Sequence, residues 1–158
     1  AYDVQPNSDC LQAGVEYLPF DDLLAQVDIV SLHCPLTPDT FHLINQQALD
    51  KMRNGVTIIN TSRGKLVDTK ASINALKTGK VGLLGLDVYE LEEDLFFNDL
   101  SAEGIPDDLL ARLTTFPNVI ITSHQGFFTH EAMTNIAQTT LSNIKQFEID
   151  GCISNGLA

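Results

Sequence analysis

Apolar runs alternate with polar or amphipathic stretches along this chain, and the alternation predicts strands and helices in turn. Runs that are largely apolar on both faces, without regular alternation, are typical of strands buried in a parallel sheet. Four such strands are predicted, at Val27–Leu32, Val56–Asn60, Val81–Val88 and Val119–Thr122. Ala1–Val4 predicts the end of another strand, and Val15–Leu18 predicts a short one. Two glycines inside one of these strands, Gly82 and Gly85, indicate close packing.

Between the strands, apolar residues at helical spacing follow residues that cap helices. Asn45 and Asp68 are predicted as N-caps, and Gly79 as the glycine that follows a helix end. The predicted helices are Phe20–Gln26, Asn45–Met52, the segment between Asp68 and Gly79, Pro106–Leu113 and Thr129–Ile149. Strands that alternate with helices predict the α/β class, with a parallel sheet covered by helices on both faces.

Two stretches carry no regular pattern. Pro6–Asp9 is rich in residues that favour turns and is predicted as a turn region. Residues 89–106 are predicted to be irregular and acidic, with Phe96 and Phe97 exposed.

Three of the predicted strands lead into reactive side chains. Arg63 follows the second strand, Glu92 lies shortly after the third, and His124 follows the fourth. Because the carboxyl ends of parallel strands share one edge of the sheet, where ligands bind in open α/β folds, we expect these side chains to converge. Arginine binds carboxylates through two parallel hydrogen bonds, and histidine beside a carboxylate suits proton transfer near neutral pH. The trio indicates a reaction on a small anionic carbonyl or hydroxy compound.

Taken singly, each of these residues has a plainer structural interpretation. An arginine after a strand usually forms a surface salt bridge, and a histidine is usually a hydrogen-bonded structural residue, as we expect for His33, His42 and His130. Glu92 belongs to the acidic run Glu90–Asp94, and such runs are usually solvated. The predicted convergence of three strand ends is what favours a functional interpretation.

Composition narrows the classes of partner. The 158 residues carry a formal net charge of −12, from 21 acidic and 9 basic residues, which argues against nucleic acid or an anionic membrane as a partner. No apolar run approaches the length of about 20 residues that spans a membrane, and the N-terminus lacks the features of a signal peptide. Three cysteines without CxxC spacing predict reduced thiols in a cytoplasmic protein, with neither a disulfide framework nor a metal site.

Five motifs, in order and across nearly the whole chain, resemble those of the D-2-hydroxyacid dehydrogenase family. They are Tyr2-Asp3, His33-Cys34-Pro35-Leu36-Thr37, Asn60-Thr61-Ser62-Arg63-Gly64, Leu86-Asp87-Val88-Tyr89-Glu90-Leu91-Glu92 and Ser123-His124-Gln125-Gly126-Phe127. The segment Asp94–Asp99 and its spacing to His124 are most similar to the fermentative D-lactate dehydrogenase branch.

The resemblance implies an NAD-dependent enzyme that reduces pyruvate to D-lactate. By this match His124 donates a proton to the carbonyl oxygen, Glu92 pairs with His124 and favours its protonated form, and Arg63 binds the substrate carboxylate. Asp3 would bind the adenosine ribose and so favour NAD over NADP. The other residues implied to contact the cofactor are Cys34, Pro35 and Thr40 on the adenosine side, and Thr61, Ser62, Arg63 and Asp87 at the nicotinamide end.

The chain departs from the family in two respects. It lacks the GxGxxG turn that binds the pyrophosphate, and it lacks the substrate domain. We therefore expect residues 1–126 to be the C-terminal part of an NAD-binding domain and residues 127–158 to be a helix returning toward the absent substrate domain. The expected fold is a partial Rossmann-type, doubly wound parallel sheet without its first strand and glycine loop. Such a chain would be a poor catalyst and a poor NAD binder by itself, because the strand position beside Val27–Leu32 is vacant.

The sequence leaves other functions open. The full-length protein is expected to be a homo-oligomer that acts on a small 2-oxo or 2-hydroxy acid, and hydroxypyruvate, phosphoglycerate and 2-ketoisocaproate are alternatives to lactate. Some family members are NAD-sensing corepressors, which can keep the same three side chains. A remnant without activity of its own is a third interpretation, supported by the missing glycine loop.

Overall fold

The computed structural model describes residues 1–96, 99–100, 102 and 104–153, and its backbone contacts divide the chain into two compact units, Ala1–His124 and Gln125–Ala158. Four strands form one sheet in the first unit. They are β1 (Ile29–Leu32), β2 (Val56–Asn60), β3 (Val81–Leu86) and β4 (Val119–Ile121), in that order, and each neighbouring pair is parallel. The predicted α/β class with a parallel sheet is confirmed, and the carboxyl ends of the strands share one edge.

Helices connect the strands. They are α1 (Ser8–Gln12), α2 (Phe20–Gln26), α3 (Gln46–Lys51), α4 (Thr69–Thr78), α5 (Glu92–Leu95), α6 (Asp108–Thr114) and α7 (His130–Asp150), and a 3₁₀ turn covers Gly64–Leu66. The predicted caps are confirmed. The side chains of Asn45 and Asp68 accept backbone N–H bonds at the starts of α3 and α4, and Gly79 ends α4 with a left-handed φ of 74°. Polar residues at caps thus set the bounds of both helices.

One face of the sheet is buried, and the other is exposed. Val30, Ile58 and Leu84 are register partners on the buried face, where they join a core with residues of α3, α4 and α6. The opposite face is exposed at Ile29, Ile59, Leu83 and Ile120. The helices that contribute residues to this core therefore pack on the buried face of the sheet.

The N-terminal predictions are wrong. Neither Ala1–Val4 nor Val15–Leu18 belongs to a described strand. Ala1 forms two hydrogen bonds with Val15–Leu18. Its amine donates to the Glu16 carbonyl, and the Ala1 carbonyl accepts the Leu18 backbone N–H. A single pairing residue is too short for a ladder, so neither segment forms a strand.

The predicted turn region Pro6–Asp9 instead leads into α1. The Asn7 side chain accepts hydrogen bonds from the backbone N–H groups of Asp9 and Cys10, and so caps this helix. Asn, Ser and Asp favour turns and helix starts for the same reason, which is that their short polar side chains bond nearby backbone groups.

Residues 89–106 are not wholly irregular, because α5 lies within them. Phe96 is partly buried against the core, 6.3 Å from the Tyr89 ring between centroids, so the prediction of an exposed Phe96 is wrong. Its predicted companion Phe97, together with Asn98, lies outside the described residues.

Three predicted bounds shift by a few residues. The first strand begins at Ile29, because Val27 is the C-cap of α2. The helix α6 begins after its N-cap Asp107 rather than at Pro106. β3 ends at Leu86. Of its two glycines, only Gly82 meets the predicted close packing, because a Cβ there would lie 2.6 Å from the Gly55 carbonyl oxygen.

The second unit contains α7, which begins after the capping side chain of Thr129 and ends before Gly151 in a left-handed conformation. Its predicted apolar positions include Ile136, Leu141 and Phe147, which are exposed. None of the described helices has the length and apolarity needed to cross a membrane.

Candidate active site

The turn after β2 is held by one buried side chain. Asn60 is fully buried, its amide nitrogen donates to the Arg63 carbonyl at 2.9 Å, and its amide oxygen accepts from the Ser62 backbone at 3.1 Å. Ser62 in turn donates from its hydroxyl to the carbonyl of Cys34, the residue that follows β1 closely, at 2.7 Å. These bonds join the carboxyl ends of two neighbouring strands and fix where the arginine leaves the sheet.

Arg63 is exposed at this edge, in an extended backbone conformation. One guanidinium nitrogen, Nη1, donates to the carbonyl of Ser62 at 2.7 Å. A guanidinium has five N–H donors, so an anion can be bound beside this internal hydrogen bond.

Gly64 allows the next strand end to pass close to the arginine. A Cβ at this position would lie 2.1 Å from the carbonyl carbon and oxygen of Tyr89 and 2.5 Å from the Glu90 nitrogen. Because no side chain fits in that space, only glycine permits the segment after β3 to cross the turn that carries Arg63.

Asp87 connects three strand ends. Its backbone N–H donates to the Asn60 carbonyl at 2.9 Å, and its carbonyl accepts the backbone N–H of His124. Its buried carboxylate accepts a hydrogen bond from the Thr122 hydroxyl. The residue predicted to hold the nicotinamide amide therefore also ties β2, β3 and β4 together at their carboxyl ends.

Glu92 and His124 form the pair that the sequence predicted. The Glu92 Oε1 atom lies 3.1 Å from His124 Nδ1, and its Oε2 atom accepts the Tyr89 backbone N–H at 2.9 Å. The Glu92 side chain is 14% exposed and that of His124 is 37% exposed. Since the carboxylate accepts a hydrogen bond from Nδ1–H, Nε2 is the ring nitrogen suited to exchange a proton with a ligand.

The backbone that presents His124 is strained. Ser123 and His124 have φ angles of 54° and 57°, a left-handed conformation that non-glycine residues rarely adopt. Consecutive residues in this region cost about 1 kcal/mol or more each, and such strain is concentrated at functional sites. The His124 N–H bond to Asp87 holds the conformation in place.

Among the residues predicted to contact the adenosine, Asp3 lies within electrostatic reach of Cys34. Burial raises the pKa of the Cys34 thiol, a backbone hydrogen bond lowers it, and the Asp3 carboxylate raises it again. Pro35 and Thr61 are both exposed. Pro35 lies shortly after β1, and Thr61 directly follows β2. The Thr40 hydroxyl donates to the Pro35 carbonyl at 2.7 Å and accepts the Thr37 backbone N–H, so its clearest role is to close this loop.

Sequence reasoning missed the residues that hold these groups in position. The motif predicted no separate role for Asn60 or Gly64. For Asn60 a signal was present, because a polar residue at the end of an apolar strand often has a buried hydrogen-bonding role. Glu90 was assigned to a solvated acidic run, yet its side chain is 20% exposed and bonds His42 at 2.6 Å. No cluster of His, Cys, Asp and Glu suited to a metal ion occurs among the described residues.

Comparisons with known proteins agree on one family. Residues 1–126 match the family described as D-isomer specific 2-hydroxyacid dehydrogenase, NAD binding domain. The chain is 51% identical over 148 residues to D-lactate dehydrogenase of Escherichia coli strain K12, covering 94% of this chain and 45% of that protein. It is 44% identical over 154 residues to an aromatic 2-oxoacid reductase of Clostridium sporogenes, covering 98% of this chain and 46% of the relative.

A solved structure is similarly close. The structure of D-lactate dehydrogenase from Aquifex aeolicus, complexed with NAD and lactic acid, is 37% identical with a TM-score of 0.82. The match covers 99% of this chain and 50% of the other. The chain thus spans about half the length of the relatives it matches.

Proposed function

Since this chain belongs to the D-isomer specific 2-hydroxyacid dehydrogenase family through its NAD-binding domain, we propose that it supplies the cofactor-binding and proton-transfer residues of a D-lactate dehydrogenase. The observation that carries the proposal is the hydrogen bond between Glu92 and His124, at the same sheet edge as Arg63. The reaction is pyruvate + NADH + H⁺ → D-lactate + NAD⁺.

The strand ends suit NAD. The exposed Asp3 carboxylate would accept hydrogen bonds from the ribose hydroxyls and would repel a 2′-phosphate, which favours NAD over NADP. The residues that would hold the remainder of the cofactor are Cys34, Pro35 and Thr40 near the adenosine, and Thr61, Ser62, Arg63 and Asp87 near the nicotinamide. When bound, NADH supplies the hydride that reduces the carbonyl carbon.

The protein's own residues bind the substrate and move the proton. Arg63 holds the substrate carboxylate through its guanidinium and draws electron density toward the carbonyl oxygen. His124 donates the proton on Nε2 to that oxygen as the hydroxyl forms. Glu92 holds the imidazole ring in position for the transfer, because its carboxylate accepts the Nδ1 hydrogen bond.

Two substitutions in the dehydrogenase that contains this chain test the proposal. Arg63→Lys should raise the KM for pyruvate by about ten-fold or more, because lysine cannot form the two parallel bonds, and should raise the Kd for NADH by a much smaller factor. His124→Ala should lower kcat by about 10²- to 10⁴-fold with NADH binding unchanged. Stopped-flow NADH oxidation and fluorescence titration separate the two effects. Equal weakening of NADH binding by both substitutions would assign them structural roles and overturn the proposal.

A different 2-oxo acid is the second candidate, favoured by the similarity to the aromatic 2-oxoacid reductase. Initial rates with pyruvate, hydroxypyruvate, phenylpyruvate and 2-ketoisocaproate rank the candidates. A higher kcat/KM for phenylpyruvate than for pyruvate would move the assignment to an aromatic substrate.

The cellular setting is part of the same proposal. All three cysteines are free thiols, which supports a reducing, cytoplasmic compartment. Light scattering on the active enzyme tests the homo-oligomer that the family resemblance implies.

A further inference from the structure

A second histidine, His42, forms a hydrogen bond with the carboxylate of Glu90 close to the candidate site. His42 Nε2 is 2.6 Å from Glu90 Oε1, and its Nδ1 is 3.9 Å from Asp68 Oδ2. The imidazole stacks on the Phe41 ring, with 4.0 Å between centroids and 20° between planes. Its backbone has a φ of 49°, a costly conformation for a residue other than glycine, and its N–H donates to the Lys65 carbonyl at 2.8 Å. The stacking on Phe41 and the backbone hydrogen bond to Lys65 therefore hold the ring against Glu90.

Glu90 makes a second hydrogen bond with the other oxygen of the same carboxylate. Its Oε2 atom accepts the backbone N–H of Thr69, the first residue of α4, at 2.9 Å. The side chain is only 20% exposed. One oxygen of the carboxylate bonds the His42 imidazole, and the other accepts a hydrogen bond from the start of α4. These two bonds fix the position of the carboxylate and of the backbone that carries it.

That backbone belongs to the candidate site. The Tyr89–Glu90 peptide passes directly over Gly64, the neighbour of Arg63. The Tyr89 N–H is donated to Glu92 Oε2, and the other oxygen of Glu92 bonds His124. A displacement of Glu90 therefore alters the segment on which Glu92 and the Arg63 turn both depend.

We infer that His42 is a positioning residue, which acts through Glu90 to hold Glu92 at its hydrogen-bonding distance from His124. The inference rests on the proposed function for its kinetic consequence, since it assigns His42 no contact with substrate or cofactor. The geometric consequence, that His42 orders the segment from Tyr89 to Glu92, holds for any reaction at this site.

The kinetic test uses the dehydrogenase that contains this chain. His42→Ala should lower kcat by about ten-fold or more, as supporting contacts around a reactive group typically do, with the KM for NADH changed by less than about two-fold. His42→Gln retains a donor that can reach Glu90 and should restore most of the lost kcat. Glu93→Ala, which removes an exposed carboxylate from the same acidic segment, is the matched control and should have no effect.

A double-mutant cycle tests whether His42 acts through Glu90. If it does, His42→Ala combined with Glu90→Ala should lower kcat no further than the more damaging single substitution. Independent, multiplying effects would overturn the inference, as would a kcat for His42→Ala within about two-fold of the wild type.

Hydrogen exchange provides a readout that does not depend on activity. In His42→Ala the Tyr89 amide should exchange about ten-fold faster, because Glu92 no longer holds it, whereas the Leu84 amide in the sheet should not change. Uniformly faster exchange would assign His42 a general stabilising role and overturn the inference, as would unchanged exchange at Tyr89. A wild-type enzyme that reduces no 2-oxo acid would refute the proposed function, while the exchange experiment would still decide this inference.

Discussion

At the scale of single residues, Gly64 is the tightest point of the candidate site. A Cβ there would meet the Tyr89 carbonyl group at 2.1 Å, and because the obstacle is backbone it cannot rotate away. We expect Gly64→Ala to lower the free energy of unfolding by about 3 kcal/mol or more, at the upper end of the range for overpacking. Urea denaturation measures the loss.

Gly85→Ala provides the control for this prediction. Its Cβ would have ordinary contacts, the nearest being 3.8 Å from Ile59 Cγ1, so we expect a change within about 1 kcal/mol. Equal effects of the two substitutions would show that the segment after β3 does not lie over Gly64.

Cys34 gives a second prediction at this scale. Burial and the Asp3 carboxylate both raise the pKa of its thiol, so a smaller fraction of thiolate is present near neutral pH. Alkylation by iodoacetamide should require a higher pH at Cys34 than at the exposed Cys152. Asp3→Asn removes the negative charge, lowers the pKa and should speed the reaction at Cys34 alone, as followed by mass spectrometry at several pH values. An unchanged rate would show that Asp3 is too far from Cys34 to affect its thiol.

Reactive residues were easier to predict from the sequence than the residues that support them. Arg63, Glu92 and His124 follow apolar strands, and the parallel topology that brings strand ends together is itself readable from the sequence. His42 and Glu90 form a hydrogen bond across 48 positions of the sequence. Glu90 lies in a family motif and in an acidic run, but neither pattern predicts its contact with a histidine in a distant loop. Contacts of this kind depend on how two loops pack, and no local periodicity encodes them.

At the scale of elements, the turn between β2 and the 3₁₀ segment depends on Asn60. Replacing Asn60 by Ala leaves the Ser62 N–H and the Arg63 carbonyl without their partner in a partly buried turn, which should cost about 1 to 2 kcal/mol of stability. Because the Arg63 backbone is released, the KM for the 2-oxo acid should rise as well.

Asn45→Ala distinguishes this effect from a simple loss of stability. It removes the cap of α3 and should cost about 1 kcal/mol while leaving the KM unchanged. A similar rise in KM in both variants would mean that stability alone, rather than the position of Arg63, determines substrate binding.

Element bounds were predictable where a cap and an apolar stripe agree, as for α4 between Asp68 and Gly79. The short helices α1 and α5 were missed because four or five residues cannot display helical spacing. Val15–Leu18 was predicted as a strand because its residues favour extended structure. A strand also needs a neighbour of matching length, and of Ala1–Val4 only Ala1 forms backbone hydrogen bonds to this segment in the described structure. Propensity describes one segment, whereas a sheet requires two.

At the scale of the whole molecule, the sheet has one apolar face without helices over it in the described part of Ala1–His124. Leu83 is 55% exposed and Ile120 is 68% exposed, and they lie on the same face as Ile29 and Ile59. The β1 edge adds backbone donors and acceptors that pair only with β2 among the described strands. Contiguous exposed apolar surface and free strand edges both favour association.

We therefore expect the 158-residue chain to self-associate through this face at micromolar concentration. Leu83→Lys combined with Ile120→Lys places two charges on the face and should reduce the associated mass measured by light scattering. Leu11→Lys is the matched control, because Leu11 is equally exposed, at 53%, but lies on α1 rather than on the sheet, and this substitution should leave the mass unchanged. A monomeric wild-type chain would show that the open face is compatible with water. Association that persists in the double variant would instead assign it to the strand edge or to the exposed apolar residues of α7.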